Sequence, residues 1–436
     1  MQEQDTGAQG SGFTQGRLSR RGVLFAAGGI AATAVLAACG DNGGMGAGKK
    51  GSLTLWASTT FAGAGSSALR KAAGDYAAKN GVSVTVQGFP ANDLIDKVTT
   101  ALTGGGGPDI VLVDVSQVPQ LGASKMLVDL TSRIKPISSQ FFAGNIAAAT
   151  VNGATYAVPY DTNNVALLWN KKMFGKAGIT APPTTWDDLL AAARRLTGGK
   201  QYGYMLGAKG YGSFLFWPWL LQNGGQILDS SGTKAAFNSP EGVEAWNFYA
   251  NLYLTQKVVP PTFLGVTDSW DQYIQPFMTE RVAMMAIGDW GIAPLAKGNP
   301  GLEYGVVPLP KHKQSATLLG GNSVGITSAA KDPDLAWGFI SWLTGAAQEK
   351  VLQDGYKRIP ARTDVTGSAF VTGDPARKVF AEQATTAKSR PSVPTWGDIE
   401  WGVMADAWDL VIQKKKAPEK ALADAAAAAT KKLSGK

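Results

Sequence analysis

The stretch that decides the fold leads into the apolar run Val165–Asn170 and reads Gly153-Ala154-Thr155-Tyr156-Ala157-Val158-Pro159-Tyr160-Asp161-Thr162-Asn163-Asn164. A strand-like run ends at Pro159, because proline fixes its own φ and lacks the amide hydrogen that strand pairing needs. Polar and aromatic residues follow before the second apolar run begins. The stretch is either an ordinary surface turn or a crossover between two lobes, with Tyr160, Asp161 and Asn163 facing the space between them.

The composition limits both the architecture and the chemistry. A chain of 436 residues is too long for one core and predicts two domains. The net charge of +8 has its clearest cluster at Lys414–Lys416, which fits a solvated helix face, and no basic stripe with stacking aromatics indicates nucleic acid. The single Cys and single His argue against disulfides, a His-rich or mixed zinc site and a Ser-His-Asp relay, so we predict no metal or other cofactor.

The N-terminal segment has the features of an export signal. The pair Arg20-Arg21 resembles a twin-arginine signal, and the apolar run Phe25–Ala38 that follows is too short to span a bilayer. The run closes with Leu-Ala-Ala before Cys39, which resembles the bacterial lipobox, in which the cysteine is lipidated. We therefore predict a signal peptide over 1–38 and a flexible lipidated tether over 39–50, whereas the alternative is a buried helix with a chance cysteine.

Strands and helices alternate in the part of the chain that follows. This order predicts an α/β fold with a parallel sheet covered by helices on both faces. The predicted strands are 52–56, 82–86 and 109–114, and helices from 66 to 80 and from 92 to 102 separate them.

Two features of this part bear on function. Gly104–Gly107 suggest a phosphate loop, but they precede a strand and no Gly-Lys-Ser/Thr follows, so we interpret them as a flexible turn. Asp114 closes a strand at the edge where open parallel sheets place ligand groups. The alternative for Asp114 is a role in capping the next turn.

The remainder of the chain contains further helix and strand signals. Thr184–Asp188 is capping-box-like and predicts a helix with Trp186 in the core. Ser239-Pro240 and Asp332-Pro333 predict two more helix starts. Strands are predicted at 282–287 and 304–307. Trp290 lies between glycines just after the first of these strands, which favours a place in a cleft.

Several of these stretches together resemble the extracellular solute-binding proteins of ABC importers, specifically the carbohydrate-binding group that includes the maltose-binding proteins. The resemblance covers about residues 51 to 430, and the order and spacing of its pieces make it specific. The matching pieces are Gly107–Val111, Tyr156–Pro159, Trp169–Lys171, Ala177-Gly178, Pro182–Trp186, Gly224-Gly225, Gly288–Trp290 and Gly320–Ile326.

The resemblance implies a two-lobed α/β fold of the type II periplasmic-binding-protein kind, with a ligand cleft between lobes that close by a hinge motion. The chain would cross between the lobes three times, near Tyr160–Asn163, Gly320–Asn322 and Pro360–Thr363. The implied N-terminal lobe comprises 51–161 and 321–361, and the C-terminal lobe comprises 162–320 and 362–436.

The resemblance also implies a sugar site, in which aromatic faces stack on the apolar face of a pyranose and polar groups bind its hydroxyls. Asn163 departs from the family's pattern, because maltose binders place a carboxylate there. For each aromatic residue that the resemblance implies, the alternative is a position in the hydrophobic core. The implied aromatic residues are Trp290, Trp401 and Phe214, with Trp217 and Trp396 nearby, and the implied polar residues are Thr59, Thr60, Asp114, Asp161, Asn163, Asp289, Asn322 and Arg358.

The expected function is a monomeric lipoprotein on the extracellular face of the cytoplasmic membrane that captures a carbohydrate and delivers it to an ABC permease without catalysis. One alternative keeps the importer but changes the ligand to a peptide, a polyamine or a metal chelate, for which the pair Tyr202 and Tyr204 is thin support. The other alternative is a secreted carbohydrate-active enzyme, which would draw its paired carboxylates from Asp114, Asp161 and Asp289.

Overall fold

Two larger β-sheets organise the protein in a computed structural model, which describes residues 51–62, 67–265 and 270–435. Within these residues, no helix is both long enough and apolar enough to cross a membrane. The strands are β1 Ser52–Ser58, β2 Ser83–Phe89, β3 Ile110–Asp114, β4 Thr150–Val151, β5 Ala154–Thr155, β6 Val158–Pro159, β7 Val165–Asn170, β8 Tyr202–Met205, β9 Val282–Gly288, β10 Tyr304–Val307, β11 Leu318–Leu319, β12 Asn322–Ile326 and β13 Lys388–Ser389. The helices are α1 Thr59–Ala62, α2 Ser67–Asn80, α3 Ala91–Thr103, α4 Val118–Ala123, α5 Thr131–Ile134, α6 Ala143–Ala148, α7 Lys171–Lys176, α8 Trp186–Arg195, α9 Lys209–Gln222, α10 Pro240–Leu254, α11 Trp270–Met278, α12 Ile292–Gly298, α13 Pro333–Leu343, α14 Ala346–Tyr356, α15 Ala369–Thr372, α16 Pro375–Ala384, α17 Trp396–Asp398, α18 Met404–Ile412 and α19 Pro418–Leu433.

The first sheet has the strand order β2-β1-β3-β12-β6. Strands β1, β2 and β3 run parallel, as the sequence predicts, and β12 is antiparallel to both of its neighbours. Successive side chains of a strand point to opposite faces. Accordingly, Ile110 and Leu112 pack with α2 and α13, whereas Val111 and Val113 pack with α3 and α4. Helices on both faces explain why β3 is apolar at nearly every position.

The second sheet has the order β10-β7-β9-β8. β7 is antiparallel to β9 and β10, whereas β8 is parallel to β9. All seven residues of β9 are buried, and one large hydrophobic cluster joins this sheet to α8, α9, α10, α18 and α19. The strands predicted at 282–287 and 304–307 are therefore confirmed as β9 and β10.

The predicted helix starts are also confirmed. Thr185 and Asp188 form a reciprocal capping box at the start of α8. Ser239 and Asp332 each accept a backbone hydrogen bond at the start of α10 and α13, with proline at the next position. Trp186 is buried, and its indole nitrogen donates to Gln222 at 2.7 Å. These are local signals, so they need no knowledge of the rest of the chain.

Helix α9 is the main element that the sequence does not reveal. Nearly all of its residues from Gly210 to Gln222 are buried, so it has no polar stripe from which a helical period could be recognised. It also contains Pro218, which normally disfavours a helix interior. The aromatic-rich run around Phe214 is therefore a helix through the core of the second lobe.

The segments that join the two sheets lie side by side. The chain leaves the first sheet after Pro159 and enters the second at Val165. Isolated antiparallel bridges pair Asn163 with Gly320 and Thr162 with Ile359, so all three connecting segments meet here. Gly321 has φ of +137°, and a Cβ atom there would overlap the backbone oxygen of Asp161, so this position requires glycine. The result is a two-lobed α/β fold of the periplasmic-binding-protein kind with three crossings.

Candidate ligand-binding cleft

The crossings are held together by a buried polar network around Asp161. Its Oδ1 accepts from the backbone and side-chain nitrogens of Asn322, at 2.7 and 3.0 Å. Its Oδ2 accepts from Arg358 at 3.0 Å, and the Asp161 side chain is fully buried. Burial raises the pKa of Asp161, although Arg358 and Asn322 oppose the shift. The structure thus brings these three predicted site residues together, but it bonds them to one another.

Asp289 ties the second sheet to the same crossings. It lies directly after β9, is fully buried, and its Oδ2 accepts from the backbone nitrogen of Ile359 at 2.9 Å. Burial raises the pKa of Asp289 to about 7. Asp161 and Asp289 therefore both serve contacts within the protein, at the segments that cross between the sheets.

The first sheet contributes the carboxyl ends of β1 and β3. Thr59 and Thr60 begin α1 directly after β1 and are exposed. At the end of β3, Oδ1 of Asp114 accepts from the backbone nitrogen of Ser116 at 2.9 Å and from its hydroxyl at 2.6 Å. The predicted capping role of Asp114 is confirmed, and its side chain remains 34% exposed.

Arg390 connects Asp114 to the second lobe. Nη1 of Arg390 lies 2.9 Å from Oδ1 of Asp114 and 3.2 Å from Oε2 of Glu400, and the Glu400 side chain is fully buried. Burial acts to lower the pKa of Arg390, but the two carboxylates outweigh it and raise the pKa. Burial raises the pKa of Glu400 to about 7, against the effect of Arg390. The Arg390 guanidinium also lies over the ring of Phe214, 5.1 Å from its centre.

An aromatic cluster continues from Phe214. The ring of Trp401 stacks on Phe214 with 5.7 Å between centres and 16° between planes, and Trp401 is 38% exposed. The ring centre of Trp290 lies 6.3 Å from that of Phe214 and 5.1 Å from that of Trp270. Tyr211 stacks on Trp270 at 3.8 Å. Three predicted aromatic residues, Trp290, Trp401 and Phe214, therefore lie in one contiguous cluster, in which Trp290 and Trp401 are partly exposed and Phe214 is buried.

The other two predicted aromatic residues lie in the protein interior. Trp217 is fully buried in α9 and packs against Phe237 and Trp396. Trp396 is also fully buried. Neither ring offers a free face to the cleft, so the structure contradicts the expectation that they contact a ligand. The physical reason is the packing around this part of α9: the rings of Phe237 and Trp396 enclose Trp217, with centres 5.5 and 5.4 Å from its own.

Sequence reasoning missed four residues at this place, Arg390, Glu400, Tyr211 and Trp270. Tyr211 precedes Phe214 by three residues, which places them on one face of a helix, but α9 was not recognised as a helix. No local signal marks Arg390, because its partners come from distant parts of the chain. Asn163 is buried beside it, and its backbone exchanges hydrogen bonds with Gly320 at 3.2 and 2.9 Å.

A two-lobed α/β protein with an aromatic and polar surface beside its crossings belongs to the class of two-lobed ligand-binding proteins. The model of the bacterial extracellular solute-binding protein family matches residues 71–379 of this chain. The chain therefore belongs to that family, and the resemblance drawn from its sequence is confirmed.

The chain is also similar to individual members of known function. It is 26% identical over 395 residues to the diacetylchitobiose binding protein DasA of Streptomyces coelicolor, covering 86% of this chain and 90% of that one. A solved ABC transporter solute-binding protein from Thermotoga lettingae, bound with α-D-tagatose, is 28% identical with a TM-score of 0.80, covering 88% and 100% of the two chains. A substrate-binding protein from Listeria monocytogenes in complex with cycloalternan is 25% identical with a TM-score of 0.78, covering 88% and 99%.

Proposed function

We propose that this protein is the substrate-binding lipoprotein of an ABC importer, that it captures a sugar or oligosaccharide outside the cell by closure of its lobes, and that it delivers the sugar to the membrane permease. The lobes comprise 51–161 with 321–361 and 162–320 with 362–436. The protein acts as a monomer and performs no catalysis.

The observation that carries the proposal is the aromatic surface next to a polar group of residues. Trp401, Trp290 and Tyr211 are partly exposed, and Arg390 of the Asp114–Arg390 pair lies over the ring of Phe214. A pyranose presents an apolar C–H face and a rim of hydroxyls. Flat aromatic rings bury the first, and charged hydrogen-bonding groups bind the second. Peptides, polyamines and metal chelates do not combine these demands in the same way.

The names of the relatives support a carbohydrate ligand. The proteins from Streptomyces, Thermotoga and Listeria bind or hold diacetylchitobiose, tagatose and cycloalternan. A relative from Pyrococcus abyssi, 23% identical over 74% of this chain and 70% of its own length, is a maltotriose-binding protein. These ligands differ in size and linkage, so the family relationship favours sugars as a class without selecting one of them.

Hinge closure is supported by the architecture of the crossings. Three neighbouring segments connect the lobes, and the contacts of Asp161 and Asp289 fix these segments to each other. In hinge motion, a few loop or element-terminal residues between two rigid bodies absorb large changes in φ and ψ, and these short crossing segments can supply such residues. Closure would bring the carboxyl end of β1 towards the aromatic surface, to which Arg390 already joins Asp114 at the end of β3.

The proposed signal peptide and lipid-anchored tether lie outside the described residues. The signal peptide over 1–38 and the tether over 39–50 would export the protein and attach it to the membrane through lipid on Cys39. Cell fractionation tests this: wild-type protein should be found with membranes, and the Cys39→Ser variant should be released. Equal membrane association of both would contradict the anchor.

Ligand binding is tested with a soluble protein that begins at Asp41 and a panel of sugars including tagatose, maltotriose and diacetylchitobiose. A sugar at a hundredfold excess over its Kd should stabilise the folded protein by about 2.7 kcal/mol, which a thermal melt detects. Tryptophan fluorescence would report the same binding from the cleft. Stabilisation by polyamines or peptides, with none by sugars, would keep the importer and discard the sugar.

Trp290→Ala tests the location of the site. It should abolish sugar binding and leave the folded structure intact, because the ring lies on the partly exposed surface. Trp337→Ala is the matched control, since Trp337 is another half-buried indole, in α13 of the first lobe, where it packs against Arg133. Normal binding by Trp290→Ala, or its complete unfolding, would show that the cleft is placed wrongly.

A further inference from the structure

The charged bridge formed by Asp114, Arg390 and Glu400 joins parts of the protein that come from different lobes. Asp114 ends β3 of the first sheet. Glu400 lies in the short π-helix Ile399–Val403. The first residue of this helix, Ile399, belongs to the core of the second lobe. Arg390 follows β13 directly and holds both carboxylates with one nitrogen, at 2.9 and 3.2 Å. The bridge is therefore a contact between lobes and also a part of the candidate cleft.

The local packing fixes the Arg390 side chain in this position. A Cβ atom at Gly320 would lie 2.6 Å from Nη2 of Arg390 and 2.5 Å from Oδ1 of Asn163. Only glycine lets both side chains approach the second crossing so closely. The guanidinium also rests on Phe214, which in turn stacks on Trp401. Arg390 thus connects the polar and aromatic parts of the cleft.

The charges of the bridge decide which ligands it can accept. Two carboxylates face one guanidinium, so the bridge has no positive charge to spare for an anion. Nε of Arg390 is buried and has no hydrogen-bond partner within the described residues. A buried donor without a partner carries a free-energy penalty, and a hydroxyl oxygen of a neutral ligand can remove it. A carboxylate or phosphate would instead meet the charge of Asp114, and that of Glu400 as well where Glu400 is ionised.

On the basis of the proposed function, we propose that Arg390 is a specificity-determining residue of the cleft: it binds a hydroxyl of the sugar, it holds Asp114 and Glu400 across the two lobes in the closed protein, and it restricts the ligand to uncharged sugars. Because Arg390 contacts both Asp114 and Glu400, a sugar that binds to Arg390 also stabilises the closed arrangement of the lobes.

The first experiment compares the soluble wild-type protein with Arg390→Gln by calorimetric titration of the tightest neutral sugar of the panel. The variant should bind at least about tenfold more weakly, because truncation of a buried, hydrogen-bonded charge weakens binding strongly. Arg390→Lys should recover part of the loss, since it keeps the charge but not the planar fork. Arg377→Gln is the control: Arg377 is also buried, pairs with Asp374 and lies over Phe370, but it is on α16.

Two further measurements keep the test decisive. If Arg390→Gln unfolds because Glu400 is left without its partner, the double variant Arg390→Gln/Glu400→Gln removes both charges and should fold but still bind weakly. The second measurement titrates wild type with the same sugar after its primary hydroxyl has been oxidised to a carboxylate. The acidic derivative should bind at least about tenfold more weakly, as expected for a ligand charge placed against like charges.

The outcomes separate the two proposals. Wild type that binds no sugar would overturn the proposed function and with it this inference. Wild type that binds a sugar, together with Arg390→Gln or the folded double variant binding equally well, would overturn the role of Arg390 alone. Equal affinity for the neutral and the acidic sugar would overturn the charge selection.

Discussion

Removing the carboxylate of Asp161 should destabilise the folded protein strongly. Asp161 is fully buried, accepts three hydrogen bonds from Asn322, and forms an ion pair with Arg358 at 3.0 Å. The Arg358 side chain is only 9% exposed, so water cannot replace the lost partner. Removal of one member of a buried ion pair typically costs about 3–5 kcal/mol, because the other charge stays buried. We expect Asp161→Ala to lower the free energy of unfolding by this amount.

The assay is urea denaturation of the soluble protein, followed by circular dichroism and fluorescence so that separate unfolding of the lobes would be seen. Asp354→Ala is the control, because Asp354 also pairs with a cation, Lys357, at 3.0 Å, but both side chains are at least half exposed. An exposed pair contributes about 0–1 kcal/mol. A loss for Asp161→Ala no larger than that of the control would refute the argument.

A second variant at Asp161 distinguishes a hinge residue from a ligand contact. The sequence predicted that Asp161 faces the ligand, whereas the structure shows its oxygens bonded to Asn322 and Arg358. Asp161→Asn keeps the shape of the side chain. It should reduce the free energy of unfolding by more than it weakens the free energy of sugar binding. Sugar affinity that collapses while the denaturation midpoint stays constant would make Asp161 a direct ligand contact.

Two other predictions concern buried residues near the cleft. Burial raises the pKa of Asp289 from 3.8 to about 7, so the folded protein holds a proton that the unfolded chain releases. This stabilisation is lost as the pH rises from about 4 to about 7. Asp289→Asn should reduce the pH dependence of the unfolding midpoint in that window, and an unchanged pH dependence would contradict the shift. Trp217→Ala should lower the free energy of unfolding by about 3–5 kcal/mol, more than Trp290→Ala does, because Trp217 is fully buried, and equal losses in thermal melts would contradict its interior position.

The elements that the sequence predicts well are those with local signals. The capping pair Thr185 and Asp188 marks the start of α8, and proline after a capping residue marks α10 and α13. The alternation of strands and helices predicts the parallel part of the first sheet. Helix α9 is lost because it is apolar on every side, and periodicity carries no information in a fully buried helix.

The candidate site is harder to predict because its residues are identified by their partners. Asp161 and Arg358 are 197 positions apart, and Asp114 and Arg390 are 276 apart. From residue type alone, a carboxylate beside a crossing is equally suited to bind a ligand or a neighbouring guanidinium. The structure bonds both oxygens of Asp161 and one oxygen of Asp289 to the crossing segments, whereas the side chain of Asp114 remains 34% exposed.

Asp114 shows that a structural role and a binding role can belong to one side chain. Its Oδ1 accepts from Ser116, which fixes the carboxylate at the end of β3, and the same group meets Arg390 from the other lobe. A group held by a rigid strand and a cap loses little freedom when it binds, and such preorganisation favours affinity. In the sequence, the capping signal was an alternative to a binding role for Asp114. On the proposed function, the cap is the reason why this carboxylate is well placed to bind.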